Sequence, residues 1–206
     1  MIFINVAAAM LLSAVITPLT IKLGIIDQPN YRKIHENPTP KGGGIGIFIP
    51  VLLLGLGNFY FLNRHLQPDA SKYQALLLIT FTLLAEGVVD DKFELKANIK
   101  LFLQSLAAAL TIIAGFSFQT TGAKAFDSLF TFVWIIGMMN AVNLIDGLDG
   151  LAAGTAAISC AGFSIIGYGL GDRTILLLSF ILLGSCLGFL KYNFRPARIF
   201  IKNTNN

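Results

Sequence analysis

Seven apolar runs of near-membrane length dominate this chain and leave little choice of architecture. A helix that crosses a bilayer needs about 20 mainly apolar residues, with a range of ~17–25. The runs at 2–23, 45–62, 73–89, 98–118, 128–145, 151–170 and 174–191 satisfy that length. They are too long and too evenly apolar for amphipathic helices on a soluble core. A membrane β-barrel would alternate polar and apolar residues over ~10-residue strands, and this chain does not. The expected fold is all-α: a polytopic transmembrane helix bundle with residues 1–206 as a single domain.

Composition agrees. Of the 206 residues 55% are hydrophobic and only 13% charged, where a soluble domain carries roughly a quarter charged. A disordered chain would be polar and charge-rich. The two cysteines, Cys160 and Cys186, cannot build a disulfide framework and lack metal-ligand spacing. They are expected to pack as small apolar groups. No charge precedes Lys22. The first run therefore reads as a retained helix rather than a cleaved signal peptide, which would begin with a cationic segment.

Seven spans divide the connecting loops into two sets. Of the 15 Lys and Arg residues, Arg64, Lys72, Lys124 and Arg173 fall on one side and the other eleven on the opposite side. The basic side is expected to be cytoplasmic, with the N-terminus outside and the C-terminus inside. The net charge of +4 is then an orientation signal and calls for no nucleic-acid partner. The outer loops are short and chemically plain. The inner ones are rich in Asp, Gly, Pro, Asn and His, and loops on a rigid scaffold are where function concentrates.

Four constellations lie on that inner side. Residues 24–46 read GIIDQPNYRKIHENPTPKGGGIG. Their prolines prevent a continuous helix. The amides of Gly43 and Gly44, opening into a helix near Ile45, suit a phosphate, with Lys41 adding positive charge. In EGVVDDKFELK, Asp90 and Asp91 end the third span and Glu86 lies one turn inside it. Adjacent carboxylates at a membrane face repel each other, and a divalent cation relieves that cost. Oxygen-only ligation favours Mg²⁺ or Mn²⁺ over zinc. In NAVNLIDGLDGLAAG, Asn140, Asn143, Asp146 and Asp149 recur every third residue. A continued helix would align them on one face, a costly arrangement unless they line a polar cavity. In GFLKYNFRPARIF, Arg195 and Arg198 can meet either lipid headgroups or a diphosphate. Acids for a cation, with amides and basic groups for phosphate, suit a phosphorylated ligand at the membrane surface.

These segments, in this order and spacing, resemble the polyprenyl-phosphate N-acetylhexosamine-1-phosphate transferases of glycosyltransferase family 4. NLIDGLDG with the preceding Asp-Asp pair is the most specific part. The resemblance implies transfer of a sugar 1-phosphate, typically N-acetylglucosamine 1-phosphate, from a UDP-sugar to undecaprenyl phosphate. UMP is released and a lipid-linked envelope glycan such as O-antigen is begun. It implies Mg²⁺, a multi-pass place in the bacterial inner membrane with the active face cytoplasmic, and the lipid bilayer as partner. A homo-oligomer is left open. It carries catalytic or metal roles to Asp90, Asp91, Asp146 and Asp149. It carries substrate binding to Lys41 and Asn143, while Gly43, Gly44, Asn140, Arg195 and Arg198 are substrate-binding candidates from their own chemistry and position.

The resemblance departs at the end. The family continues after PARIF with a Gly-Asp motif, a His-containing loop and further spans. Here Asn203 stands where an Asp is expected and the sequence stops at Asn206. On that basis the chain is expected to be truncated and weak or inactive alone. Two rival functions follow: a non-catalytic fragment or partner subunit, and an ion or solute transporter. The outer halves of the spans are nearly uncharged, which disfavours transport.

Overall fold

The computed structural model describes residues 2–22, 26–27, 39–40, 43–62, 70–93, 95–146 and 148–194. Among them are seven helices: α1 (Ile2–Lys22), α2 (Gly43–Leu62), α3 (Ala70–Phe93), α4 (Ala97–Ile113), α5 (Lys124–Ile145), α6 (Leu151–Leu170) and α7 (Arg173–Asn193). Six are long and apolar enough to cross a membrane. Two short strands, β1 (Ile26–Asp27) and β2 (Thr39–Pro40), pair antiparallel, with Ile26 opposite Pro40 and Asp27 opposite Thr39. The all-α membrane bundle expected from the apolar runs is the observed fold.

Three helix ends differ from the sequence reading. Helix α2 begins at Gly43, so Gly43 and Gly44 form its first turn rather than a loop; Gly43 is buried. Helix α3 runs through Asp90 and Asp91 to Phe93. Its extension is held by Asp90, which accepts the Leu95 N–H beyond the helix end. Helix α4 stops at Ile113, not near residue 118. Gly115 takes φ +89°, and the Phe118 N–H turns to Thr131 Oγ1 on α5 at 2.9 Å. At 17 residues, α4 spans only ~26 Å.

Helix α7 is the centre of the packing, with α1 and α6 against it and α2 beside α1 and α7. A Cβ added at Gly184 or Gly188 would strike the carbonyl oxygens of Val6 and Met10, respectively. The α1 and α7 backbones therefore touch, the small-residue contact by which helices gain dispersion energy in lipid. One core cluster joins Ala9, Val51, Tyr73, Leu77, Leu177 and Ile181. A second joins Ile47, Ala153, Ala157, Cys186 and Phe189. Both cysteines are buried and free, as expected for apolar packing. Within the spans, Asn5 and Asn58 exchange side-chain hydrogen bonds, the shorter at 2.8 Å. Helices α3, α4 and α5 continue from α2 in sequence of contact, and α5 meets α6 only lightly. Large apolar side chains such as Phe3, Ile158 and Tyr168 face outward, which suits hydrocarbon.

Gly184→Leu or Gly188→Leu is expected to lower stability by about 3 kcal/mol, the top of the ~1–3 kcal/mol range for overpacking. Gly162→Leu, where an added Cβ meets nothing within 4 Å, should leave it nearly unchanged. Thermal unfolding of the three variants in detergent measures the contrast.

Candidate active site

The turn from α3 to α4 is organised by one buried carboxylate. Asp90 is 0% exposed. Its Oδ1 accepts the Leu95 N–H at 3.0 Å, and its Oδ2 lies 2.9 Å from Lys100 Nζ. Lys100 stands one turn into α4, whose first hydrogen bonds run from the Ile99 and Lys100 N–H groups to the Lys96 carbonyl. A buried carboxylate is tolerable only with such charge and hydrogen-bond partners.

The turn from α5 to α6 carries the amide and acid series. Asn140 Nδ2 donates to the Ile136 carbonyl at 2.8 Å and to Gln104 Oε1 on α4 at 3.1 Å. Asn143 Oδ1 is buried and has no hydrogen-bond partner among the described residues. Helix α5 ends at Ile145 with Asp146 as its cap, 3% exposed. The helix does not continue to Asp149, which is exposed in the turn, so the expected four-residue face ends at Asp146. Gly150 then takes φ +72°, a left-handed conformation that glycine adopts without strain. Its N–H donates to Asn193 Oδ1 at 3.1 Å. Asn193, at the end of α7 and itself buried, thus fastens the turn to the central helix.

Between α2, α3, α4 and α5 lies a cavity of about 350 Å³. Its polar wall is formed by Glu86, Asp91, Gln104, Asn143 and Asp146, with Gly44 at the start of α2. Its apolar wall is formed by Ile45, Phe48, Leu83, Leu84, Met138 and Met139. The expected meeting of the Asp-Asp pair with the Asn/Asp series therefore occurs through Asp91, Asn143 and Asp146. Asp90, Asn140, Asp149 and Gly43 are not among its walls. Lys41, Arg195 and Arg198 lie outside the described residues.

Sequence reasoning missed three residues at this end of the bundle. Lys100 entered only as a topology charge, Gln104 was not singled out, and Asn193 was passed over inside a quoted motif. A usable signal existed for Gln104: a carboxamide within an apolar span, four residues after a lysine on the same helix face.

The cavity's electrostatics favour a cation, since it gathers carboxylates and an unanswered amide oxygen. Among the described residues, no three His, Cys, Asp or Glu side chains come together as a metal-ligand set. Two carboxylates and one amide oxygen nonetheless fit Mg²⁺. That ion is commonly held by one or two protein carboxylates, with phosphate oxygens and water completing its octahedron.

The family model for glycosyl transferase family 4 matches residues 73–204. The chain belongs to glycosyl transferase family 4. A Bacillus subtilis (strain 168) protein named "Probable undecaprenyl-phosphate N-acetylglucosaminyl 1-phosphate transferase" is 32% identical over 212 residues, covering 98% of this chain and 57% of that relative. The decaprenyl-phosphate N-acetylglucosaminephosphotransferase of Mycobacterium tuberculosis (strain ATCC 25618 / H37Rv) is 30% identical over 213 residues, covering 91% and 52%. The undecaprenyl-phosphate alpha-N-acetylglucosaminyl 1-phosphate transferase of Thermotoga maritima is 30% identical over 196 residues, covering 95% and 57%. The chain spans about half the length of the curated relatives it matches. In this family 4 member the matched segment holds both acidic turns and Asn193, while the α2 wall of the cavity precedes it.

Lys100→Met should destabilise the protein by about 3–5 kcal/mol, because it strands a buried charge. Adding Asp90→Asn to that variant should restore most of the loss. A double-mutant cycle on thermal unfolding checks both, and additive losses would show that the pair is not coupled.

Proposed function

We propose that this family 4 member transfers N-acetylglucosamine 1-phosphate from UDP-N-acetylglucosamine to undecaprenyl phosphate on the cytoplasmic face of the bacterial inner membrane. The observation that carries the reading is one cavity that joins Asp91, Asn143 and Asp146 to an apolar wall. Such a cavity suits a ligand that is anionic at one end and hydrocarbon at the other. The names of the relatives supply the substrate class.

Asp91, Asp146 and the Asn143 amide oxygen would hold Mg²⁺ or Mn²⁺. When bound, that ion supplies neutralisation of the charge on two phosphorylated substrates. Lys100, held in place by Asp90, adds a fixed positive charge beside the polar end. Gly44, in the first turn of α2, offers its amide at a helix N-terminus, a natural place for a phosphate oxygen. In sequence, Lys41 precedes that turn and Arg195 and Arg198 follow α7, and their charge suits phosphate. Asp149, exposed in the α5–α6 turn, is assigned to the nucleotide.

The reaction asks little acid–base help. A phosphate monoester has its second pKa near ~6, so the lipid nucleophile is already ionised at neutral pH. Its oxygen attacks the sugar-bearing phosphorus, the bond to the UMP phosphate oxygen breaks, and a diphosphate forms. The leaving group is itself a phosphate and needs no proton. The barrier lies in aligning two anions, which positioning and fixed charge lower. Asp90 and Asp91 therefore act through charge and coordination rather than as general bases.

Against the weak or absent turnover expected from the end of the sequence alone, purified protein in lipid nanodiscs, given labelled UDP-N-acetylglucosamine, undecaprenyl phosphate and Mg²⁺, should form labelled lipid and UMP in equal amounts. EDTA should abolish the product. Asp91→Asn and Asp146→Asn should each lose at least ~100-fold, or about 2.7 kcal/mol of barrier lowering, and raising the pH should not restore them. Absence of lipid product, or full activity after metal removal, would reject the proposal.

A further inference from the structure

Within that reaction we propose that the Gln104 side-chain amide seats the phosphate of the lipid acceptor where the polar and apolar parts of the cavity meet, with Asn140 as its positioning residue. The inference rests on the transfer reading, and its test separates the two.

Gln104 is 7% exposed and lines the cavity from within α4. A carboxamide at that depth is costly unless its polar atoms are used. Its Oε1 end is committed to Asn140 Nδ2 at 3.1 Å, and the same nitrogen donates to the Ile136 carbonyl at 2.8 Å. Both Asn140 N–H groups are thereby spent, so Asn140 fixes Gln104 instead of meeting a ligand. With the oxygen held toward α5, the Nε2 donors of Gln104 are left for the cavity.

The position of this amide selects its ligand. Gln104 follows Lys100 by one turn on the same face of α4, ~6 Å further along the axis. Asp91, Asn143 and Asp146 lie near the helix ends, whereas Leu83, Leu84, Met138 and Met139 come from nearer the middle of α3 and α5. Gln104 stands at the changeover. A ligand with an anionic head and a hydrocarbon chain places its head–chain junction there. A nucleotide sugar has no such chain and stays among the polar groups. Glu86, Asp91 and Asp146 present carboxylates, which repel phosphate oxygens. A neutral N–H donor binds a phosphate oxygen without disturbing the cation-favouring field. The acetamido carbonyl of the sugar accepts the same hydrogen bond, so the experiment must tell the two oxygens apart.

Three variants suffice. Gln104→Met keeps the volume and removes the donors. Gln104→Glu keeps an acceptor for Asn140 and replaces the donors with charge. Asn140→Ala frees the Gln104 amide to rotate. In steady-state assays the KM for undecaprenyl phosphate should rise about tenfold in Gln104→Met, more in Gln104→Glu and about threefold in Asn140→Ala. Tenfold equals about 1.4 kcal/mol, the scale of one hydrogen bond. The KM for UDP-N-acetylglucosamine should stay within twofold. A rise confined to the nucleotide sugar would assign the amide to the acetamido oxygen and overturn the proposal, as would no change in either KM. A second arm needs no turnover: native mass spectrometry of the protein with undecaprenyl phosphate or undecaprenol. Wild type should retain the phosphate over the alcohol, and Gln104→Met should lose that preference while still retaining the alcohol, which also certifies its fold. Should wild type make no product, the transfer reading fails, and this binding preference alone decides the role of Gln104. Equal retention of phosphate by wild type and Gln104→Met would refute it.

Discussion

A carboxylate removed from water at the end of an apolar bundle must have its charge answered, and at Asp90 the answer sets the geometry of everything nearby. The Lys100 ammonium and the Leu95 N–H close on its two oxygens. That closure carries α3 past the edge of its apolar run and starts α4 close beside it. Successive helix residues project about 100° apart. With Asp90 turned into the α3–α4 contact, Asp91 is directed to the cavity. Two adjacent acids thus divide between a structural charge pair and the wall of the cavity.

The second acidic turn is fixed differently. Its backbone is anchored by Asn193, which reaches from α7 to the Gly150 N–H. Helix α7 is in turn held where Gly184 and Gly188 let its backbone meet that of α1. The small-residue contact far from the cavity therefore supports the position of Asp146. Helices α1, α6 and α7 form a dense backing, and α2 to α5 hold the space where chemistry is proposed.

The cavity has a gradient from charge to hydrocarbon along its length. At one end are acids and an unanswered amide oxygen; at the other are methionine, leucine and phenylalanine side chains. The Gln104–Asn140 pair lies between them, joining α4 to α5 at the depth where polarity changes. A phosphorylated lipid has the same gradient, which makes the transferase reading physically coherent as well as consistent with family membership.

The sequence by itself determined the membrane bundle, because the length of an apolar run is a one-dimensional property that the bilayer reads directly. It also singled out Asp91, Asn143 and Asp146, since polar groups at span ends stand out against apolar surroundings. It missed Lys100, Gln104 and Asn193, and treated Asp90 and Asp91 as equals. Those distinctions depend on which side of a helix meets which neighbour, and on partners 10, 36 and 43 residues away in the chain. It also extended the Asn/Asp series to Asp149, because a three-residue period does not reveal where a helix stops. Only the tertiary structure decided these points. A buried charge or amide finds its partner across space, and local pattern holds no record of that distance.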